Sequence, residues 1–143
     1  MSYGISTGLV HAILNAAFNA GAGSIFDSAI CEGRTGTRPA DANNAPVGTV
    51  IFAATLPADA FASAASLAIA ISAAFSDSSA DATGVPTWFR IRLPGDLGTT
   101  NTTDARLDGD VGEGSGDMSF DNTDINAGQA ITVNTFTISL PKS

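Results

Sequence analysis

Short runs of alternating apolar residues, separated by glycine, proline and asparagine, make up most of the chain after residue 21. An apolar residue at every second position places one face of a strand against a core, and frequent turn residues end each strand early. The pattern predicts a mainly β fold: an antiparallel β-sandwich or flattened barrel of about seven strands with one N-terminal α-helix. The chain has 143 residues, and we predict a single domain over residues 1–143, with an N-terminal arm and helix (1–22) and a β-sandwich (23–143).

The N-terminal segment is the place where the apolar spacing is helical. Ser6 or Thr7 can cap a helix, and Gly21 is suited to end it. Between them, apolar residues recur three and four positions apart and share one face: Leu9, Val10, Ile13, Leu14, Ala17 and Phe18. These features predict one helix of about four turns.

Seven segments have the length and alternation of strands. They are residues 29–32, 49–56, 67–75, 88–93, 106–111, 117–121 and 130–140. Residues 67–75 also fit a helical face, but only a strand places Ile69 on the same face as Leu67 and Ile71, so we predict a strand. In the last segment the apolar positions change from odd to even after residue 133. One extra residue would restore a common face, which predicts a β-bulge at Asn134 and Thr135.

The charge balance disfavours several classes of partner. The chain has 6 basic and 14 acidic residues, a formal net charge of −8. Binding to a phosphate backbone would work against this field, so nucleic acid is not predicted as a partner. The first basic residue is Arg34, which leaves the N-terminus without the basic start of a secretory signal, and the alanine-rich run 58–75 is too polar to span a bilayer. We therefore expect a protein that is made and kept without export and has no membrane segment.

Residues for covalent or metal chemistry are few. Cys31 is the only cysteine, which excludes an intramolecular disulfide and a thiolate cage, and we expect its side chain to act as a small buried hydrophobe. His11 is the only histidine and has no acidic partner within one helical turn, so we expect a partly covered helix residue rather than a general base. We predict no catalytic residue and no cofactor, and we do not expect an enzyme.

An acidic stretch, residues 104–124, places seven carboxylates in 21 residues. Calcium binding is one interpretation, because hard cations favour several oxygen ligands, but the spacing does not match a helix-flanked calcium loop. The favoured interpretation is a solvated outer face on two neighbouring strands, so no metal is predicted. The sequence GEGSG, residues 112–116, precedes no helix start and is predicted to connect a hairpin.

The stretch PTWFRIRL, residues 86–93, contains the only tryptophan of the chain and two of its basic residues. In a strand, Trp88, Arg90 and Arg92 share one side, which we expect to be the outer face. One interpretation is that the tryptophan covers a sheet edge while the arginines pair with Asp108 and Asp110 on a neighbouring strand. The other is a contact surface, because tryptophan and arginine dominate interface energies.

The two interpretations are compatible, because an arginine that is held by a neighbour is already ordered for a partner. The loop GRTGTRP, residues 33–39, adds two further arginines. The predicted partner-binding residues are therefore Trp88, Arg90, Arg92, Arg34 and Arg38.

Four segments in this order resemble one group of proteins. They are STGLVHAILNAAFNAG, ICEGRTGTRPADANNAPVGTVIFAATLPADAF, ATGVPTWFRIRLPGD and LDGDVGEGSGDMSFDNTDINAGQAITVNTFTISLP. Together they cover nearly the whole chain and resemble small structural proteins of tailed-bacteriophage virions. Shared features are the leading helix, a Gly-to-Pro loop, the WFR strand, a D-G-x-V-G strand and a closing G-Q-x-[IV]-T-V run.

The resemblance implies a virion protein made in the cytoplasm of the host bacterium. Such proteins are similar to capsid decoration or cement proteins, and to minor head or neck components. The implied partners are the major capsid protein or other virion proteins, with a homo-oligomer, preferably a trimer, as the binding unit. The leading helix is a candidate for the oligomer contact, because an N-terminal element can exchange between copies.

Two other classes of function compete with this expectation. A neck or tail component of the virion would share the same sequence features. A carbohydrate-binding or receptor-binding β-sandwich module is the alternative from another class, since this architecture hosts such functions often. It would require aromatic side chains gathered on one exposed face.

Overall fold

The short alternating runs of the sequence form short strands. The computed structural model describes residues 4–18 and 24–140, and within them it contains one helix and nine strands. In chain order these are α1 (Thr7–Phe18), β1 (Ile30–Arg34), β2 (Val50–Thr55), β3 (Ala68–Ala70), β4 (Phe75–Asp77), β5 (Trp88–Arg92), β6 (Arg106–Glu113), β7 (Met118–Phe120), β8 (Ile131–Val133) and β9 (Thr137–Ser139). The predicted mainly β fold with an N-terminal helix is confirmed.

A five-stranded sheet with the order β2-β1-β5-β6-β7 positions most of the side chains discussed below. Its first four strands pair antiparallel, and β5 lies between β1 and β6. One face of these strands carries apolar residues that are buried in the core, among them Phe52, Phe89 and Ile91. The other face carries the charged residues, which fall at the alternate positions of the same strands.

The connection between β6 and β7 differs from the prediction. These two strands pair parallel, so GEGSG does not connect an antiparallel hairpin. The chain doubles back at Gly114 and Gly116, both of which have positive φ, and Gly116 forms a bridge to Val111 before β7 begins. A Cβ at residue 116 would lie 2.9 Å from the carbonyl oxygen of Asp110, so this close double turn requires glycine.

The two longest predicted strands are each broken in the middle. Residues 67–75 contain β3 and the first residue of β4, and residues 130–140 contain β8 and β9. The halves pair with one another, β3 with β9 and β4 with β8, both antiparallel. The parity change near Asn134 is therefore real, but residues 134–136 interrupt the strand instead of forming a bulge within it. Phe136 is buried in this gap, and its carbonyl oxygen accepts a hydrogen bond from Ile71 N at 3.0 Å.

Helix α1 begins as predicted. Ser6 caps it, because its Oγ accepts a hydrogen bond from Leu9 N at 3.2 Å. Only Val10 and Leu14 of the predicted apolar face are fully buried, while Leu9 and Ile13 are 48% and 43% exposed. The predicted end at Gly21 lies outside the described residues. No helix in the described ranges has the length and apolar character needed to cross a membrane.

Two side chains of α1 bind the backbone of the segment that precedes β3. His11 Nε2 accepts a hydrogen bond from Leu67 N at 3.2 Å, and Asn15 Oδ1 accepts one from Ala64 N at 2.8 Å. His11 is half-buried and serves as a structural acceptor, in agreement with the expectation of a partly covered residue. Leu67 has a φ of 63°, so the hydrogen bond from its N–H supports a strained turn.

Two aromatic rings of the core lie over glycines of the neighbouring strand. Gly33 in β1 pairs with Phe52 on one side and with Phe89 on the other. A Cβ at residue 33 would lie 2.1 Å from Cε1 of Phe52, and a Cβ at Gly109 would lie 2.5 Å from Cε1 of Phe89. The rings occupy the space that side chains on these strands would otherwise fill.

We therefore expect Gly33→Ala to lower the free energy of unfolding by about 1–3 kcal/mol, because the added methyl group displaces a fully buried ring. Urea-induced unfolding of both proteins measures the difference. The matched control is Gly95→Ala, where a Cβ meets nothing within 4 Å, and its effect should stay within about 0.5 kcal/mol. Equal stability of the two variants would contradict the close packing of Phe52 over β1.

Candidate functional site

The charged face of the five-stranded sheet gathers all five arginines of the chain. We call this set, Arg34, Arg38, Arg90, Arg92 and Arg106, with the carboxylates that bind it, the arginine layer. Its carboxylates are Glu32, Asp96, Asp104, Asp108 and Asp110. Strand register creates the layer, because Arg90 in β5 lies between Glu32 in β1 and Asp108 in β6.

The expectation that Trp88 and Arg90 point to solvent is wrong, although the predicted alternation is right. Both side chains are on the face opposite Phe89, but their exposed fractions are 0%. Two loops, residues 35–49 and 93–105, lie over this face and cover it. Trp88 Nε1 donates to the carbonyl oxygen of Thr35 at 3.1 Å, and the guanidinium of Arg90 lies 5.7 Å from the centre of the indole ring.

Arg90 and Asp108 form a buried two-bond ion pair. Arg90 Nε and Nη2 each donate to one carboxylate oxygen at 2.7 Å, and the exposed fractions of the two side chains are 0% and 3%. This confirms the predicted cross-strand partner of Arg90. Its Nη1 donates to the carbonyl oxygen of Asn44 at 2.9 Å, so the same guanidinium binds the sheet and the 35–49 loop.

Arg106 joins the two loops to each other. Its guanidinium forms two hydrogen bonds with Asp96, at 2.5 and 2.6 Å, in the 93–105 loop. It also donates to the carbonyl oxygens of Ala42 and Asn43, both at 3.2 Å, in the 35–49 loop. The hydrogen bonds from Arg106 lower the pKa of Asp96 to about 2 against the opposing effect of burial. Arg106 belongs to the stretch 104–124, for which the sequence favours a solvated outer face, yet its side chain is 2% exposed.

Glu32 lies between two arginines. Its Oε2 accepts hydrogen bonds from Arg34 Nε at 2.9 Å and Nη2 at 2.8 Å, and its Oε1 accepts one from Arg92 Nε at 2.8 Å. Burial alone would raise the pKa of Glu32, but the hydrogen bonds and charges of Arg92 and Arg34 lower it below its ordinary value. Arg92 was expected to bind Asp108 or Asp110, whereas its partner is Glu32.

The remaining predicted pairing also changes. Asp110 accepts its hydrogen bond from Arg38 Nε at 2.9 Å, and both side chains are partly exposed. Arg38 thus joins the 35–49 loop, to which it belongs, to Asp110 in β6. The exposed fractions of the Arg34, Arg92 and Arg38 side chains are 13%, 20% and 40%.

The five predicted partner-binding residues therefore differ in how much of their surface a partner could contact. Trp88 and Arg90 have no surface that a partner could contact in this fold. For Arg34, Arg38 and Arg92, binding of a partner stays a prediction. Sequence reasoning missed Glu32, Asp96 and Arg106. A signal existed only for Glu32, a lone carboxylate in the middle of an apolar strand.

The arginine layer leaves the rest of the surface acidic. Fourteen acidic residues less the five of the layer leave nine carboxylates outside the layer. Seven of the nine belong to exposed residues: Asp41, Asp59, Asp81, Glu113, Asp117, Asp121 and Asp124. Lys142, the one other basic residue, lies outside the described part of the chain. The outer surface therefore carries the net negative charge.

Other residues considered for chemistry have structural surroundings. Cys31 is fully buried in the core, as predicted, and burial with the nearby charge of Glu32 raises the pKa of its thiol far above the ordinary value. Asp108 departs from the interpretation of residues 104–124 as a solvated face, because it is buried against Arg90. Five other carboxylates of the stretch belong to exposed residues, as that interpretation expects. Across residues 4–18 and 24–140, no three histidine, cysteine or acidic side chains converge as a metal site requires.

We expect Arg90→Met to lower the free energy of unfolding by about 3–5 kcal/mol, because it leaves the buried Asp108 carboxylate unpaired. The double variant Arg90→Met/Asp108→Leu should be more stable than Arg90→Met alone. In both variants, amides of the 35–49 loop should exchange hydrogen faster, since the bond to Asn44 is lost. Urea-induced unfolding and hydrogen exchange measure these effects.

The matched control for the buried pair is the partly exposed pair Arg38 and Asp110. Arg38→Met should cost about 0–1 kcal/mol, because solvent screens the pair. A loss for Arg90→Met no larger than for Arg38→Met would contradict the central role of the buried pair.

Comparison with known proteins identified no relative of this chain. No protein-family model, no curated protein and no solved structure matches the chain. A functional conclusion must therefore come from the resemblance in sequence and from the geometry of the arginine layer and the surface around it.

Proposed function

We propose that this protein is a non-enzymatic structural component of a bacteriophage virion, and most specifically a capsid decoration or cement protein that binds and stabilises the assembled head. The sequence resemblance supplies the virion context. The structural observation that carries the proposal is the arginine layer, which holds two long loops against the sheet through directional hydrogen bonds. A neck or tail component of the virion is the alternative location.

The arginine layer supports this function because it provides a surface that is formed before binding. Four arginines donate to backbone carbonyl oxygens of the covering loops or of their ends, including those of Asn44, Gly48 and Thr99. The loops are also bonded to each other, with Asn101 N donating to Asn43 O at 2.9 Å. A surface fixed in this way loses little conformational entropy when it docks. On a lattice, many weak contacts of this kind add up to stable attachment.

The distribution of charge supports an outward position on a protein shell. The arginines are paired within the layer, while nine carboxylates remain elsewhere on the chain. A surface of this sign repels the phosphate backbone of packaged DNA. The partner that suits it is a protein, such as the major capsid protein, and virion localisation follows from that partner.

Helix α1 supports self-association. None of its twelve residues is charged, and its outer side exposes Leu9 and Ile13, which are one helical turn apart. Val10 and Leu14 already face the core, whereas about half of the Leu9 and Ile13 surface stays open to solvent. A second copy would cover these side chains without bringing charges of like sign together. We propose a homo-oligomer through this face, with a trimer favoured.

The carbohydrate-binding alternative gains no support from the surface. A sugar-binding face needs an exposed aromatic ring, and in the described residues Trp88 and six of the eight phenylalanines are buried. Phe18 and Phe120 are half-buried and pack against other rings. We therefore do not carry this function forward.

The test of array binding is co-sedimentation with purified particles of the encoding phage. Under the proposal, the protein saturates empty heads at a copy number comparable to that of the major capsid protein, and it raises the temperature at which the heads disrupt. Isolated tails serve as the control. Saturation of tails or necks, with no binding to heads, would favour the alternative location, and no binding to any particle would overturn the proposal.

The test of self-association uses sedimentation velocity. The unmodified protein should sediment as an oligomer, and Leu9→Gln/Ile13→Gln should sediment as a monomer, because the change removes the apolar contact while leaving Val10 and Leu14 in the core. Val85→Gln alters an apolar residue of similar exposure, 43%, and should leave the oligomer intact. A monomeric unmodified protein would contradict the role of α1.

A further inference from the structure

A cavity of about 270 Å³ opens at the edge of the arginine layer, where the two loops meet the sheet. Arg34 and Arg92 line it together with Glu32, which binds them both. The loops contribute Pro46 and Leu97. The cavity is thus the place where guanidinium groups of the layer contact a space open to solvent.

The cavity has a positive charge balance in an otherwise acidic protein. Two guanidinium groups face one carboxylate, that of Glu32. Asp96 also lines the cavity, but both of its oxygens bind Arg106, so its charge is already compensated. At the cavity wall, two guanidinium groups therefore face one carboxylate that no other arginine compensates, an arrangement that favours a singly charged negative group.

Hydrogen-bond donors remain for such a group. Among the described residues, Arg34 finds acceptors for three of its five N–H groups: two bonds go to Glu32 and one to the carbonyl oxygen of Gly48. The Arg92 bonds from Nη1, to the carbonyl oxygens of Leu93 and Asp96, are long at 3.3 Å. Both side chains keep part of their surface exposed. A planar anion can therefore be bound without breaking the pairs with Glu32.

The rim of the cavity is apolar. Leu97 is 88% exposed, the highest value among the large hydrophobic residues of the described chain, and Val47 beside Pro46 is 49% exposed. The exposed Leu97 side chain lies at the same cavity as the guanidinium groups of Arg34 and Arg92. It can therefore contact an apolar group of a ligand whose anionic group binds these arginines. The rim and the charged wall together define the chemistry of the ligand.

We propose that this cavity binds a carboxylate that is flanked by an apolar side chain on an exposed segment of a partner protein. Two guanidinium groups beside a single uncompensated carboxylate match a carboxylate ligand better than a phosphate dianion, and no aromatic ring of the described residues lines the cavity to stack on a sugar. The identity of the partner as a virion protein rests on the function proposed above, whereas binding of the carboxylate itself does not.

The experiment is an NMR titration of the arginine Nε–H signals in the intact protein, with N-acetyl-L-leucine as the probe. We expect saturable shifts of the Arg34 and Arg92 signals, with a dissociation constant on the order of 1 mM for so small a ligand. N-acetyl-L-leucinamide, which lacks the carboxylate, should give no shift. Acetate, which lacks the side chain, should bind more weakly than the probe.

Two variants locate the site. Leu97→Ser changes only an exposed rim residue and should weaken binding of N-acetyl-L-leucine by roughly fivefold to tenfold while leaving acetate binding unchanged. Val85→Ser, at an exposed apolar residue outside the cavity, is the matched control and should bind like the unmodified protein. Arg92→Gln should abolish the shifts, and unchanged backbone spectra verify that the variant is folded.

The outcomes separate this inference from the proposed function. Absence of saturable shifts, or equal binding by Leu97→Ser, overturns the cavity proposal even if the protein co-sediments with heads. Tighter binding of inorganic phosphate or of N-acetylneuraminic acid than of the probe also overturns it, because the ligand would then be a phosphate or a sugar acid. Probe binding without co-sedimentation supports the carboxylate site and removes only the virion partner.

Discussion

The buried ion pair between Arg90 and Asp108 is the interaction on which the charged half of the structure depends. Removing two charges from water costs several kcal/mol per ion, and this cost is offset only when the geometry of the pair is good and further hydrogen bonds bind the charged groups. Asp108 accepts two of the Arg90 hydrogen bonds, and the carbonyl oxygen of Asn44 accepts a third. A 35–49 loop placed at any other position would leave the guanidinium without this acceptor. Directional bonds therefore select one position for the loop.

The opposite, apolar face of the same sheet is held by close packing of side chains rather than by hydrogen bonds between charged groups. Phe52 and Phe89 lie over Gly33 and Gly109, so rings fill the space above the inner strands without displacing the backbone. Both faces of β5 are consequently covered, one by close packing and the other by hydrogen-bonded charges. Apolar packing contributes most of the stability of such a sheet, while the charged face contributes a fixed loop geometry.

Local patterns predicted the helix, the alternation within each strand and the burial of Cys31, because each depends on residues close together in sequence. The same patterns wrongly predicted that the face of β5 with Trp88 and Arg90 is exposed to solvent. Trp88 and Arg90 donate hydrogen bonds to the backbone carbonyl oxygens of Thr35 and Asn44 in the loop that covers them. Every residue type has a backbone carbonyl oxygen, so the sequence of this loop does not reveal that it covers β5. The break of the two longest strands was hidden for a similar reason: it follows from the pairing of β3 with β9 and of β4 with β8, which are far apart in the chain.

The arrangement of charge links the fold to the proposed role. A chain with a net charge of −8 and five arginines can place those arginines at its surface, where they moderate repulsion between copies, or inside, where they order loops. In this protein Arg90 and Arg106 are buried and the other three arginines are partly covered. The outer surface stays acidic as a result. In the described part of the chain, the outer side of α1 carries no charged residue, and Arg34 and Arg92 line the cavity together with Glu32. Under the proposed function, attachment to a lattice and association between copies would use these two separate surfaces, where fewer unpaired negative charges oppose contact with another protein.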